Sequence, residues 1–412
     1  LVIGGGVVGA CSAYYLADRG FKVTLVERAE ICPVEGGTYG NAGLIVPSDV
    51  FPLPAPGVLG SSAKWLLDST SPFYVRPRLN PALIRWLLLF AAACTEKKVA
   101  ASAPVLHDLG KASAELHAEL AATDAPGYGY QATGWLSLYT TKSVFERAAS
   151  RTDNVERFGI AVEVLDAKQV SDVVPGVASD IAGGILKRGD AHLIPDQFVH
   201  AVAQLAASRG ATIMPFTEVL GIAATGSRVT RVDTTKGVLR PDTVVLAAGA
   251  WSRAIAAPLG LSLLIEPAKG YSVTVPKPDS GDSFPVALEL AEQHVGMTPM
   301  GEKLRFAGTL ELAGFDSQIR WNRVAGITKG VTRVLPGLRD FEAAELWRGF
   351  RPMTPDGLPM LGRTKKYENL VIASGHNMNG VSLGPISGKI VAELVAGETP
   401  SVDLSALAPE RF

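Results

Sequence analysis

The chain opens on an apolar run, Leu1-Val2-Ile3, that breaks into Gly4-Gly5-Gly6 before apolar residues resume at helical spacing over residues 10–19. Gly20 ends that periodicity, and residues 21–26 read as a second strand that stops at Glu27. Strand, helix and strand in that order predict a βαβ unit. Residues 243–251 and 370–374 are apolar on successive positions, as expected of parallel strands covered on both faces. A helix over 196–209 stopped by Gly210, strands over 212–216 and 219–223, a hairpin of 228–233 with 237–240, and a helix over 381–396 complete this α/β part.

The remaining pattern is of two kinds. Residues 61–123 are helical, in segments 64–67, 81–98 and 104–122, the last carrying His107 and His117 as packing or surface residues. Residues 134–139 alternate as a strand, 142–158 are helical, 162–174 and 181–186 hold short strands and a turn, and 266–347 are mainly β with a helix near 318–331. The proline-rich residues 47–56 mark a change of region. No internal repeat or low-complexity segment is present.

The first glycines carry the earliest chemical signal. Gly4, Gly6 and Gly9 are spaced G-x-G-x-x-G: a tight turn, bare backbone for a pyrophosphate, and close helix–strand packing. Such a turn alone often only links a strand to a helix. Glu27, 23 residues after Gly4, stands where a carboxylate accepts from a ribose 2′-OH, and together they predict a dinucleotide site without the 2′-phosphate. The small-residue loop 36–44 can approach a ligand with its backbone, or be a surface loop.

Composition narrows the classes. With 412 residues the chain has material for two or three domains, and a net charge of −1 without a dense basic run excludes an electrostatic footprint for nucleic acid. Cys11, Cys32 and Cys94 are too scattered for a disulfide framework or a metal site, the six histidines share no ligand spacing, and a reducing compartment fits. The short first strand and missing initiator Met lead us to expect a clipped N-terminus, with no signal peptide in what remains. The run 86–94 falls short of a spanning helix; following Arg76, Arg78 and Arg85, it reads as a buried helix, with a membrane-surface contact as the alternative.

Several blocks, in order and across nearly the whole length, carry a family resemblance. They are Gly4-Gly5-Gly6-Val7-Val8-Gly9, Thr38-Tyr39-Gly40-Asn41-Ala42-Gly43, Ser71-Pro72-Phe73-Tyr74-Val75-Arg76-Pro77-Arg78-Leu79, Lys269-Gly270-Tyr271-Ser272, Phe306-Ala307-Gly308-Thr309-Leu310-Glu311-Leu312, Arg348-Gly349-Phe350-Arg351-Pro352 and Gly375-His376. In these the chain resembles the FAD-dependent D-amino-acid oxidoreductases, especially the bacterial D-amino-acid dehydrogenases, and more distantly glycine oxidase and sarcosine oxidase.

The resemblance implies an α/β fold, α+β overall. A discontinuous Rossmann-type FAD-binding domain would come from residues 1–50, 190–265 and 348–412, and a β-rich substrate domain from 126–189 and 266–347, with the helical 51–125 assigned to neither. It places Gly4, Gly6, Val7, Val8 and Gly9 at the pyrophosphate and Glu27 at the adenosine ribose, with Arg28 beside it. Thr38, Asn41, Ala42, Gly43 and Leu44 would run along the cofactor toward the flavin, Val219 would meet the adenine through its backbone, and Ala248 and Gly249 with Trp251 would lie on the phosphate side. Gly375, Met378, Asn379, Gly380, Val381 and Ser382 would hold the flavin edge. Two departures matter: no cysteine follows Cys94, which implies non-covalent FAD, and Met378 stands where glycine oxidase-like chains carry an arginine, implying a more apolar wall.

Amino-acid oxidation by a flavin requires the substrate carboxylate to be held and Cα–H aimed at flavin N5. An arginine fork suits that carboxylate, and Arg351 is the candidate, with a structural pairing to Asp356 or Glu345 as the alternative and Arg348 as its nearest rival. The Tyr271 hydroxyl is a second candidate donor; the alternative is a core tyrosine. The helix after Gly380 offers a positive N-terminus to the reduced flavin. His376, Glu311 and Asp190 are not placed in the chemistry.

The expected function is oxidative deamination of D-amino acids to 2-oxo acids and ammonia, with electrons passed to a quinone, another electron-transfer partner or oxygen. The alternatives are oxidation of a secondary or small amino acid (D-proline, hydroxyproline, sarcosine, glycine), a flavin-binding subunit with a vestigial site, and, more weakly, an NAD-dependent dehydrogenase. No metal or nucleic acid is expected. The expected location is cytoplasmic or peripheral on the inner membrane, and the sequence sets no oligomeric state.

Overall fold

A computed structural model of the chain describes residues 1–58, 60, 71–278, 284–339 and 342–412. The short helix expected at 64–67 lies outside the described residues. Six strands form the first sheet, in the order Met360–Arg363, Leu370–Ser374, Val244–Leu246, Val2–Ile3, Thr24–Val26 and Thr212–Met214. All neighbours are parallel except the first pair. Successive residues face opposite cores, as the continuous apolar runs require. Val2, Leu25, Val245 and Val371 meet the helices Val7–Asp18, Pro195–Ser208 and Gly380–Ala396, while Ile3, Val26, Val244 and Ile372 meet the other face, where Val229 and Val232 of an antiparallel three-stranded sheet pack. The first and last helices touch closely: a Cβ at Gly388 would lie 2.5 Å from the Cys11 carbonyl carbon.

The second layer is a nine-stranded, mostly antiparallel sheet. Glu345–Met353 edges it, followed by Glu266–Pro276, Lys303–Leu312, Val295–Met300, Ala287–Leu290, Trp135–Tyr139, Gly183–Lys187 and Val162–Leu165, while Phe73–Val75 pairs with Lys303–Leu312. Residues 348–353, grouped from sequence with the cofactor segments, lie in this sheet: their strand pairs with Glu266–Pro276 along its whole length. Helix Trp321–Val334 covers one face through Val324, Ile327 and Val331.

Local caps moved several boundaries. The Asn80 and Thr95 side chains accept from the free N–H groups opening Pro81–Ala93 and Glu96–Ala121, so the break falls at Cys94-Thr95 and Pro104 sits inside the second helix. An Asp166–Gln169 capping box starts a helix, Ala167–Val173, where short strands were expected. The segment 142–158 divides into Lys142–Ala149 and Asp153–Glu156. The apolar helix at 86–94 is only half covered: Leu83, Trp86 and Phe90 are buried, while Ile84 and Leu88 face outward beside a wholly exposed Leu79.

Candidate functional site

The first turn is built by steric exclusion. Gly4 holds φ +112°, and a Cβ on Gly9 would come within 1.8 Å of the Gly4 carbonyl oxygen, so only glycine lets helix Val7–Asp18 rise so close behind the first strand. A Cβ on Gly6 would meet only the Thr38 hydroxyl, at 3.5 Å; this backbone is open to a ligand. The helix has no acidic residue in its first turn, leaving its free N–H groups and partial positive charge to an anion. Glu27 is buried, and its carboxylate accepts from the N–H of Gly5 (2.7 Å) and Ala29 (3.2 Å), bracing the turn on the side expected of a ribose partner.

A cleft of about 360 Å³ runs from this turn in both directions. Of the residues singled out from sequence, Gly4, Gly6, Val7, Val8, Glu27 and Arg28 line it, with Thr38, Asn41, Val219, Ala248, Gly249 and Trp251. Met378, Gly380 and Val381 line its other end. Gly9, Ala42, Gly43, Leu44, Gly375, Asn379 and Ser382 do not line it, and neither do Arg351 and Tyr271. Leu44 pairs with His192, Asn379 donates to the Asp49 carboxylate (3.4 Å), and the Ser382 hydroxyl accepts from the Val46 N–H (3.0 Å). They shape residues that face the cleft instead of facing it themselves.

The far end of the cleft is formed by an irregular turn between strand Leu370–Ser374 and the last helix. Gly375 has φ +72° and Asn377 φ +54°, the latter held by accepting from the Thr354 N–H (2.8 Å) and donating to the Gly375 carbonyl (3.0 Å). His376 is buried against the Ser387 hydroxyl (2.8 Å), and burial pushes its pKa down to about 4, so it is neutral. Helix Gly380–Ala396 again lacks an acid in its first turn, and its N-terminus presents Gly380 and Val381 to the cleft. Two helix N-termini, a bare glycine backbone and a buried acid along one cleft fit an extended dinucleotide cofactor.

Arg351 lies on strand Glu345–Met353 with its guanidinium over Gly270 of the neighbouring strand; a Cβ on Gly270 would be 1.6 Å from Nη1. Its recorded hydrogen bond is to the carbonyl of Thr309 (2.9 Å), which itself holds φ +67°. Both rival partners are engaged elsewhere: Asp356 with Arg411 (2.7 Å) and Glu345 with Arg305 (3.5 Å). Among the described residues, Arg351 is thus a buried cation without a carboxylate, and burial brings its pKa down to about 10, still charged at neutral pH. A buried guanidinium without a counter-ion is costly until an anion arrives.

Tyr271 is not brought to Arg351. Arg351 pairs in register with Ala268, so it shares the face of Ala268 and Gly270, while Tyr271 projects from the opposite face. Its hydroxyl contacts the Glu311 carboxylate (3.3 Å) and accepts from the Arg320 N–H (3.2 Å), and Glu311 pairs with fully buried Lys269 (3.1 Å). Arg348 shares that far face, bonded to the Ser317 carbonyl (3.1 Å) and Glu35 (3.1 Å). Asp190 accepts from the Ser48 hydroxyl (2.5 Å), away from the cleft wall.

Sequence reading missed several wall residues. Gly37 was readable in its loop: a Cβ there would lie 3.0 Å from the Phe350 carbonyl oxygen. Asn377 carried a signal too, since asparagine tolerates the left-handed backbone it adopts. Leu220, Ile222 and Pro258 carried none; chain topology alone brings them to the cleft.

The chain is 34% identical over 420 residues to a D-amino acid dehydrogenase of Bradyrhizobium diazoefficiens, covering 100% of this chain and 98% of that one. It is 35% identical over 421 residues to a D-amino acid dehydrogenase of a Methylobacterium species, with the same coverage. The structure of glycine oxidase from Geobacillus kaustophilus superposes with a TM-score of 0.77 at 26% identity, covering 100% of this chain and 98% of the other. The DAO family of FAD dependent oxidoreductases matches residues 1–394, and the chain belongs to that family.

Proposed function

We propose that this chain oxidises D-amino acids to 2-oxo acids and ammonia, and that Arg351 holds the substrate carboxylate. The observation that carries the reading is that guanidinium, buried and without a carboxylate partner among the described residues, on the sheet face of Gly270. Bound FAD supplies the hydride acceptor. Arg351 fixes the carboxylate by a charge-assisted fork, which aims Cα. Gly380 and Val381 offer free N–H groups to the edge of the cofactor that gains negative charge. Met378 contributes an apolar side chain at that end, 42% exposed. The relatives named as D-amino acid dehydrogenases support the substrate class. The test is product analysis with an artificial acceptor and a panel of D-, L- and N-alkyl amino acids. Equal amounts of 2-oxo acid and ammonia from D-substrates are expected; turnover confined to glycine, sarcosine or proline would move the assignment to the secondary and small amino acids.

The cofactor is held without a covalent bond in this reading, since no cysteine follows Cys94 and the Cys94 thiol already donates to the Phe90 carbonyl within its helix. Electrons leave to a quinone, another electron-transfer partner or oxygen. No helix among the described residues is long and apolar enough to cross a membrane. A cytoplasmic protein resting on the inner membrane is supported by the outward Leu79, Ile84 and Leu88 next to Arg76 and Arg85, and pelleting with anionic vesicles tests it. Residues 1–50, 190–265 and 348–412 as cofactor domain, with 126–189 and 266–347 as substrate domain, remain our division, the strand at 348–353 bridging the two.

A further inference from the structure

Residues 313–320 link strand Lys303–Leu312 to helix Trp321–Val334 across the face of the sheet opposite Arg351. The segment is pinned from below. The Lys269 ammonium donates to the Gln318 carbonyl (2.7 Å) and lies 3.7 Å from Asp316, Tyr271 accepts from the Arg320 N–H (3.2 Å), and Arg348 donates to the Ser317 carbonyl (3.1 Å). Lys269, Tyr271 and Glu311 are fully buried beneath it, so a strongly polar network holds a short irregular segment in place.

What that anchoring positions is Phe315. Its ring stacks on Trp251 with centroids 5.1 Å apart and planes 25° from parallel, and Phe350 closes on both edge-on, at 5.2 Å from Phe315 and 6.0 Å from Trp251. The Arg28 guanidinium lies 4.3 Å over Trp251. A second connection joins the same two ends: Ser317 carbonyl to Arg348, Arg348 to Glu35 (3.1 Å), and Glu35 to Arg28 (3.1 Å). Arg28 and Trp251 line the cofactor cleft, Arg28 directly after Glu27; Phe315 and Glu35 do not. One aromatic and one ionic link therefore run in parallel from the 313–320 segment of the β-rich layer to the cleft wall contributed by the parallel-sheet side.

We infer that residues 313–320 form a clasp that retains the bound cofactor, with Phe315 and Glu35 as positioning residues acting through Trp251 and Arg28. The inference rests on the cleft being the FAD site. Cation–π contact and stacking hold Trp251 and Arg28 in one arrangement, so a dinucleotide leaving the cleft past them meets a braced wall instead of two free side chains. Each link is modest by itself, and the two meet where Arg28 lies over Trp251, so each contributes and loss of both exceeds loss of either.

The test is the release of FAD from the purified holoprotein, followed by flavin fluorescence on dilution, which needs no substrate and is independent of which amino acid is oxidised. Phe315→Ala is expected to release FAD about fivefold faster, Phe315→Tyr at the parent rate, and Phe315→Ala with Glu35→Gln faster than either single variant. Melting of the apo and holo forms is the control: the stack on Trp251 and Phe350 is internal to the protein, so Phe315→Ala lowers both, and the fall should be larger for the holoprotein. Parent-like release from Phe315→Ala and from the double variant would overturn the clasp. So would an equal loss of stability in apo and holo forms, which would make Phe315 a packing residue only.

Discussion

The Arg351 guanidinium occupies the space over Gly270 where any side chain would begin, 1.6 Å from the position of a Cβ. Gly270 does not hold a positive φ, so its backbone accepts alanine, and the cost of that methyl falls on the arginine. Gly270→Ala is expected to raise the amino-acid KM at least tenfold while FAD remains bound, because the fork is displaced from the carboxylate's place. An unchanged KM would show that the guanidinium does not need this position.

Arg351→Lys keeps the charge and loses the fork. Charge-assisted hydrogen bonds contribute about 1.5–3 kcal/mol each, so losing one of two lowers kcat/KM by roughly ten- to a hundredfold. Steady-state kinetics together with flavin content checks this. A lysine variant equal to the parent would remove bidentate recognition from the account.

Tyr271→Phe separates the two faces of the strand. The hydroxyl bonds Glu311 and Arg320 and not the Arg351 side, so the KM for the amino acid is expected to stay within about twofold of the parent. FAD release should quicken as the 313–320 segment loosens. A large rise in KM with unchanged FAD release would return Tyr271 to the substrate.

The glycine turn, Glu27 and both buried parallel strands were legible because each depends on local pattern: a spacing, a periodicity, an acid at the end of a strand. Arg351 was legible as a candidate, through its block, but its lack of a carboxylate partner among the described residues was not, since that depends on Asp356 and Glu345 being taken by Arg411 and Arg305. Tyr271 shows the limit most clearly. Its neighbour Gly270 lies under the arginine, and one residue of register sends the tyrosine to the other side of the sheet. Leu220 and Ile222 reach the cleft only because the three-stranded sheet packs against it, a long-range fact that no window of sequence contains.

Buried neutral histidines set the acid response. Burial lowers the pKa of His117, His192 and His376 to about 4 each, against about 6.5 for an unfolded histidine. Between those values the unfolded chain binds more protons, so stability is present in full above pH ~6.5 and is lost as pH falls toward ~4, by about 1.4 kcal/mol per pH unit for each histidine. Asp190 opposes this: burial raises its pKa to about 6, so it favours the fold in acid and loses that contribution as pH rises through 6. With three groups against it, Asp190 reduces the slope without reversing it, and Asp49, also raised by burial, reduces it further. Melting temperature should therefore fall from pH 7 to pH 5, and His117→Gln should flatten the slope. A melting temperature that holds steady or rises toward pH 5 would contradict the buried neutral state.

Acid precipitation tests how the cofactor is held. Yellow colour is expected in the supernatant, and flavin remaining in the pellet would contradict the non-covalent reading.

The most direct measurement of the central claim is anaerobic mixing of the holoprotein with a panel of D- and L-amino acids, reading the visible flavin band in the parent and in Arg351→Ala. We expect D-amino acids to bleach the parent flavin and to leave the Arg351→Ala flavin oxidised at the same concentrations, with FAD bound in both. A parent flavin that no amino acid bleaches, or an Arg351→Ala flavin bleached as readily as the parent, would contradict the account.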